Sequence, residues 1–230
     1  PCQRLRQWLT LCLLAPRSRQ KLCLWRLCSL LRLSRQDRLC MLALLALREQ
    51  QRLLQLLESS GARATFFVLG AAAERHPQLV REIHDRGHEI GTHGYGHHFV
   101  YRLGADGFRD DLRRSLDILG SLVGEQIRGH RAPFFSIVEG SEWAFDVLRE
   151  AGLEYDASLF PAERGNGGYL CPPGPHTMTN TPSGIAMPEL PMSVVQIGPL
   201  KLPFSGGGYL RLLPTAVSYT HLTLPTILLV

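Results

Sequence analysis

Apolar positions along the chain fall into short blocks that switch between two periods. "REQQRLLQLLESSG" carries paired leucines at helical spacing and stops at Gly61, a suitable residue for a helix C-terminus. "ATFFVLG" follows as a β-branched and aromatic run, the pattern of a buried strand. "AAAERHPQLVREIHDRG" predicts a helix broken near Pro77 and ending at Gly87, and "HEIGTH" predicts a short strand. "FRDDLRRSLDILGSLVG" predicts a helix with Phe108, Leu112, Leu116 and Leu119 on one face. "IRGHRAP" then reads as a strand. "SEWAFDVLREAG" reads as a helix with Ser141 as N-cap and Gly152 as its stop, and "LEYDASLF" as another strand.

Strand and helix thus alternate at least three times, which predicts parallel strands joined by helical crossovers. His93, Arg131 and Asp156 each fall at or just beyond the C-terminal end of a predicted strand. In α/β barrels that end of the strands builds the active site, so a closed or nearly closed barrel is the expected architecture. Beyond Pro161, "PAERGNGGYLCPPGPHTMTNTPSG" predicts a long surface loop. Short β-like runs follow between prolines. The Gly206-Gly207-Gly208 triplet lacks the ending of a phosphate-binding loop and reads as a backbone turn.

Composition divides the chain. Residues 1–50 hold sixteen Leu, nine Arg, five of the six Cys and no Gly, whereas all 22 Gly come after position 60. The same 50 residues hold ten Lys+Arg against two Asp+Glu, a balance of +8; the remaining 180 hold fifteen against eighteen, a balance of −3. The excess positive charge belongs to the first segment, so it does not support a nucleic-acid partner for the body. The apolar stretch Leu39 to Leu47 has nine residues, too few to span a bilayer. Arg falls on every helical face, which argues against an amphipathic membrane arm. The expected division is an atypical Leu/Arg/Cys-rich segment over 1–47 that reads as frame-shifted, a partial domain over 48–214, and a non-native tail over 215–230. The early cysteines show no C-x-x-C spacing and imply no disulfide framework.

The chemistry concentrates in "HEIGTHGYGHH", with four of the nine histidines in eleven residues. His93 and His97 lie four apart around Gly94 and Gly96, which let the backbone turn so that two imidazoles can meet one divalent metal. A catalytic site needs a third protein ligand and an open position for water. Among the other histidines, His76 and His84 read as a solvated helix face, and His130 as facing away from Arg131 across a strand. Phe135 reads as core.

"GHEIGTHGYGHH" after "TFFVLG", then "RGHRAPFF", then "EYDASLFP" resembles the polysaccharide deacetylases of carbohydrate esterase family 4, the NodB-like domain. "LPFSGGGYLRLLP" resembles a signature of the exosortase-associated branch. The resemblance runs from about Arg48 to Pro214. It implies a distorted (β/α) barrel, incomplete in this chain, and metal-dependent removal of N-acetyl groups from amino sugars of a bacterial polysaccharide. It further implies His93 and His97 as metal ligands, with Zn²⁺ the expected ion, and Arg131 as the arginine that orients a base aspartate. Pro133 and Phe134 would form the groove wall, and Asp156 would line the substrate groove. The partner implied is a polysaccharide containing N-acetylated hexosamine, in the cell envelope, periplasm or cytoplasm.

Two pieces of the family pattern are missing. Asp37 is the sole Asp before Asp85 and has neither a strand context nor an acidic neighbour, so the ligand and base aspartates have no counterpart. The late motif bearing the acid histidine is absent too, and His221 has no matching surroundings. Two imidazoles without a third ligand or a base predict an inactive chain. A missing first strand also predicts an unpaired sheet edge. The rival expectation is a non-catalytic carbohydrate-binding relative.

Overall fold

The structure, a computed structural model, describes residues 50–162, 168–197 and 200–203. The expectations for residues 1–47, for the triplet Gly206–Gly208 and for the tail 215–230 lie outside the described residues. The chain divides into two compact units, residues 1–60 and 61–230. In the first, residues 50–60 are helical, as the leucine spacing predicts.

The second unit opens with β1 (Thr65–Val68) and two short helices, α1 (Gly70–Arg75) and α2 (Pro77–Asp85). Pro77 sits at the first position of α2, where its missing N–H costs nothing, so the break falls where the sequence puts it. Then come β2 (Glu89–Thr92), α3 (Val100–Val123), β3 (Gly129–His130), α4 (Trp143–Glu150) and β4 (Tyr155–Asp156). β1 pairs with β2, β2 with β3 and β3 with β4, all parallel. Each pair is joined through helix, giving three successive β-α-β units.

α3 is the hub of the helical layer, packing against α1, α2, α4 and β2. It begins eight residues earlier than its periodic stretch, at Val100, with a break at Gly104 where φ is +68°. Its buried stripe is Phe108, Leu112, Ser115 and Leu119, so Ser115 takes the place expected for Leu116, which is half-buried. The reason is polar. The Ser115 hydroxyl lies 2.8 Å from that of Thr92 and donates to the Gly94 carbonyl at 3.1 Å. Periodicity ranks side chains by apolarity and cannot register such a demand.

Ser141 is not the N-cap of α4. Its hydroxyl donates to the Val138 carbonyl at 2.7 Å and accepts the Val138 N–H at 2.8 Å, closing the preceding turn, while Glu142 occupies the cap position. Gly152, at φ +83°, does stop the helix.

Beyond β4 the segment expected to be all loop contains β5 (His176–Met178). β5 runs antiparallel to β6 (Met187–Glu189), which pairs in parallel with β4 through Asp156 and Glu189. β7 (Val194–Ile197) and β8 (Leu200–Pro203) form a separate hairpin. The main sheet has the order β1-β2-β3-β4-β6-β5. The α/β class with parallel strands is therefore as expected. The barrel is not closed among the described residues, where β1 and β5 are the edges.

Candidate active site

The C-terminal ends of β1, β2 and β3 set the site. The His93 N–H donates to the Val68 carbonyl at 2.9 Å and the Arg131 N–H to that of Thr92 at 2.9 Å, so the parallel ladder carries on one step past each strand. His93 and Arg131 are thereby fixed side by side. Asp156 is the last residue of β4, so all three rim placements read from the sequence are observed.

Between His93 and His97 the chain turns tightly. Gly94 has φ +75°, and a Cβ there would stand 2.8 Å from the carboxylate of Asp111, so the position requires glycine. His97 also takes a left-handed backbone, φ +59°, costing about 1–2 kcal/mol for a residue with a Cβ. Two further residues facing this region do the same, Phe134 at φ +59° and Phe135 at +54°. Strain of this kind persists only where surrounding contacts fix the backbone, and it gathers at functional sites.

The result brings the two imidazoles together, with ring centroids 5.2 Å apart and planes inclined at 56°. His93 Nδ1 lies 2.7 Å from the carbonyl oxygen of Arg131. A carbonyl can only accept, so Nδ1 carries the hydrogen and Nε2 keeps its lone pair, the arrangement typical of a metal-binding histidine. Burial pushes the His93 pKa down to about 4, against the opposing pull of that hydrogen bond. Its ring is therefore neutral at physiological pH, as a ligand must be. The pair fits a divalent ion as two of its donors. Among the described residues no group of three His, Cys, Asp or Glu side chains could hold one.

Arg131 is the largest fully buried side chain among the described residues, 2% exposed. Its Nε donates to the Ala157 carbonyl at 3.0 Å, and its guanidinium carbon lies 4.6 Å from the centre of the Phe67 ring. Nη1 is buried and has no hydrogen-bond partner among the described residues. Desolvation lowers its pKa to about 10, with Asp156 and Glu189 pulling the other way, so it remains a cation at neutral pH.

Pro133 is buried, whereas Phe134 is 39% exposed. Phe134 stacks on Phe99, centroids 4.3 Å apart and nearly parallel, and its ring lies 4.5 Å from that of His97. Asp156 has a different place from the groove lining that the resemblance implies. It is fully buried; His130 Nδ1 lies 2.7 Å from one carboxylate oxygen, and the Ser158 hydroxyl donates to the same oxygen at 2.6 Å. The same hydroxyl accepts the Ala132 N–H at 2.7 Å, tying this buried cluster to the turn that carries Phe134. Asp156 therefore belongs to a buried polar cluster with His130 and Ser158.

Sequence reasoning missed two residues here. Glu189, fully buried, accepts the Leu159 N–H at 2.9 Å, and burial and the neighbouring Asp156 raise its pKa well above the usual carboxylate range. Asp111, on α3, accepts the N–H groups of Tyr95 and Gly96 at 2.6 and 3.1 Å. A Pro-flanked Glu and one acid in a charged helix carry no local signal of such roles.

Residues 48–155 match the family described as Polysaccharide deacetylase, and residues 157–224 match one described as Domain of unknown function (DUF3473). The chain is 34% identical over 117 residues to a peptidoglycan-N-acetylglucosamine deacetylase of Bacillus cereus, covering 46% of this chain and 42% of that one. It is 33% identical over 108 residues to a peptidoglycan deacetylase of Helicobacter pylori, covering 47% and 36% respectively. The chain thus spans less than half the length of these relatives. Among solved structures, a Mycobacterium smegmatis protein described as a candidate polysaccharide deacetylase superposes with a TM-score of 0.51 at 28% identity, over 69% of this chain and 52% of that one. Over residues 48–155 the chain is thus similar to polysaccharide deacetylases in sequence, and its fold is similar to that of the Mycobacterium smegmatis structure.

Proposed function

We propose that this chain is part of a metal-dependent carbohydrate deacetylase that removes acetyl groups from N-acetylated hexosamine units of a bacterial polysaccharide, in the exosortase-associated branch of the family. The observation that carries the proposal is the meeting of His93, His97 and Arg131 on one rim of parallel strands. The relatives named above act, by their descriptions, on peptidoglycan and its N-acetylglucosamine. An amide of an acetylated amino sugar is the common chemistry.

In this reading His93 and His97 hold a divalent ion, Zn²⁺ first among the candidates, which when bound supplies a Lewis acid for the amide carbonyl and lowers the pKa of water. His93 contributes Nε2, with its ring kept neutral by burial and aimed by the Arg131 carbonyl. Arg131 contributes a buried cation whose Nη1 is left for a carboxylate, the role of the family's base aspartate. Phe134 offers exposed surface next to His97, where a sugar ring can lie against it, with Pro133 buried beside it in sequence. Asp156 serves from the buried cluster, fixing His130 and Ser158. The domain division at 47/48 and 214/215 belongs to this proposal.

The ligand and base aspartates and the acid histidine have no counterpart in this chain, so as it stands it binds metal weakly and releases no acetate. A second reading, a glycan-binding relative without turnover, is favoured by the absence of a three-donor group among the described residues. Zn²⁺ binding, compared between the unchanged chain and His93→Ala, separates the two, with acetate release from chitooligosaccharides measured alongside. Turnover by the chain as it stands overturns its predicted inactivity. Glycan binding without turnover supports the second reading, and metal binding that is lost in His93→Ala supports the first.

A further inference from the structure

Five backbone groups lie between the Gly94 N–H and the Gly96 N–H, and each has a partner. The Gly94 N–H donates to the Thr92 hydroxyl at 3.2 Å, and the Gly94 carbonyl accepts the Gly70 N–H at 2.9 Å and the Ser115 hydroxyl at 3.1 Å. The Tyr95 carbonyl accepts the Ala71 N–H at 3.2 Å. The remaining two, the N–H groups of Tyr95 and Gly96, both donate to one side chain, the carboxylate of Asp111.

The turn is thus held by β2 and the start of α1 on its first half, and by Asp111 on its second. That second half sets where His97 goes. His97 has an exposed side chain and a left-handed backbone, so little else restrains it besides the facing rings of His93 and Phe134. An ionised carboxylate suits the task because both of its oxygens accept, and bonds from N–H groups to a charged acceptor are among the stronger ones. A neutral amide side chain offers one acceptor. The tightness of the fit is visible at Gly94, where even a Cβ would reach within 2.8 Å of the Asp111 carboxylate.

We propose that Asp111 is a positioning residue for the metal pair: by clamping Tyr95 and Gly96 it fixes the separation of the His93 and His97 imidazoles, and it controls metal affinity without touching the ion. This rests on the reading of His93 and His97 as metal ligands. Residues that orient ligands from behind typically change metal affinity about 10–100-fold when replaced.

The test uses the full chain and two probes, Zn²⁺ and Cu²⁺, the latter because imidazole sites hold it more tightly. Affinity is measured by competition with a chromophoric chelator. Asp111→Asn is expected to weaken binding about tenfold and Asp111→Ala by up to about a hundredfold. The amides of Tyr95 and Gly96 should exchange with deuterated water faster in both variants. Asp110→Asn removes the same charge from the neighbouring exposed residue, which pairs with Arg113, and should change neither property. Unchanged affinity in the Asp111 variants despite faster exchange overturns the proposal, as does an equal loss in Asp110→Asn. If Asp111→Ala does not fold, exchange in the unchanged protein decides: slow Tyr95 and Gly96 amides support the clamp, and freely exchanging ones overturn it. Metal binding that survives His93→Ala instead overturns the reading of the pair itself.

Discussion

The side chain of His93 is hydrogen-bonded to the backbone of Arg131, Nδ1 to carbonyl at 2.7 Å, across 38 residues of sequence. The His93 imidazole and the backbone of Arg131 are therefore one mechanical unit: displacing the β3 end displaces the imidazole. Replacement of His97 by glycine should separate ligation from stability. It removes one donor and relieves a left-handed backbone, so thermal stability should stay within about 1 kcal/mol while Cu²⁺ and Zn²⁺ affinity drops. Thermal scans paired with metal competition read both quantities on one sample.

Arg131→Met should be costly even though methionine fills similar space. The substitution removes the bond to the Ala157 carbonyl and the buried guanidinium charge near Asp156 and Glu189. Removing one partner from buried charges costs about 3–5 kcal/mol. Urea unfolding should show the midpoint falling with the slope unchanged. Arg131→Lys should recover only part of this, since an ammonium cannot reproduce the Nε contact and the planar approach to Phe67.

Asp156→Asn tests the buried cluster. His130 and Asp156 have no exposed surface, and Nδ1 and the carboxylate stand 2.7 Å apart. The variant should destabilise by about 2–4 kcal/mol, because a charged partner of His130 and an acceptor of the Ser158 hydroxyl are both weakened. Glycan affinity measured under conditions where the variant is folded should change little, as Asp156 has no exposed surface. A large loss of affinity with stability intact would place Asp156 in the groove instead.

Glu189 makes the pH dependence specific. Its folded pKa lies well above that of an unfolded glutamate, so between the two values the unfolded chain gives up a proton that the folded chain keeps. Stability from this group is therefore present at low pH and is lost as pH rises from about 4.5 through the folded pKa. Glu189→Gln keeps an oxygen for the Leu159 N–H and removes the ionisation. The variant should flatten the fall in melting temperature between pH 5 and pH 8 and gain on the parent at the upper end.

Local pattern determined much of this protein. The alternation of apolar runs with amphipathic stretches yields β1 to β4 and the helices between them, because period and punctuation are properties of adjacent residues. Pro77, Gly87 and Gly152 mark their boundaries as read. The histidine pair was legible for the same reason, since His93, Gly94, Gly96 and His97 act within five residues. So was the rim position of Arg131, once a strand was assigned before it.

What the tertiary structure decided is everything that depends on partners far along the chain. Ser115 displaces Leu116 from the buried stripe because Thr92 and Gly94 need a hydroxyl. β5 forms inside an apparent loop because Glu189 brings β6 beside β4 and leaves an edge to be paired. Asp156 turns inward because His130 and Ser158 meet it there. Asp111 looks like one more surface acid on a charged helix, and only the folded chain sets its carboxylate under the Tyr95 and Gly96 amides. Periodicity records which residues prefer the interior; which polar groups need one another is written only when distant strands and helices meet.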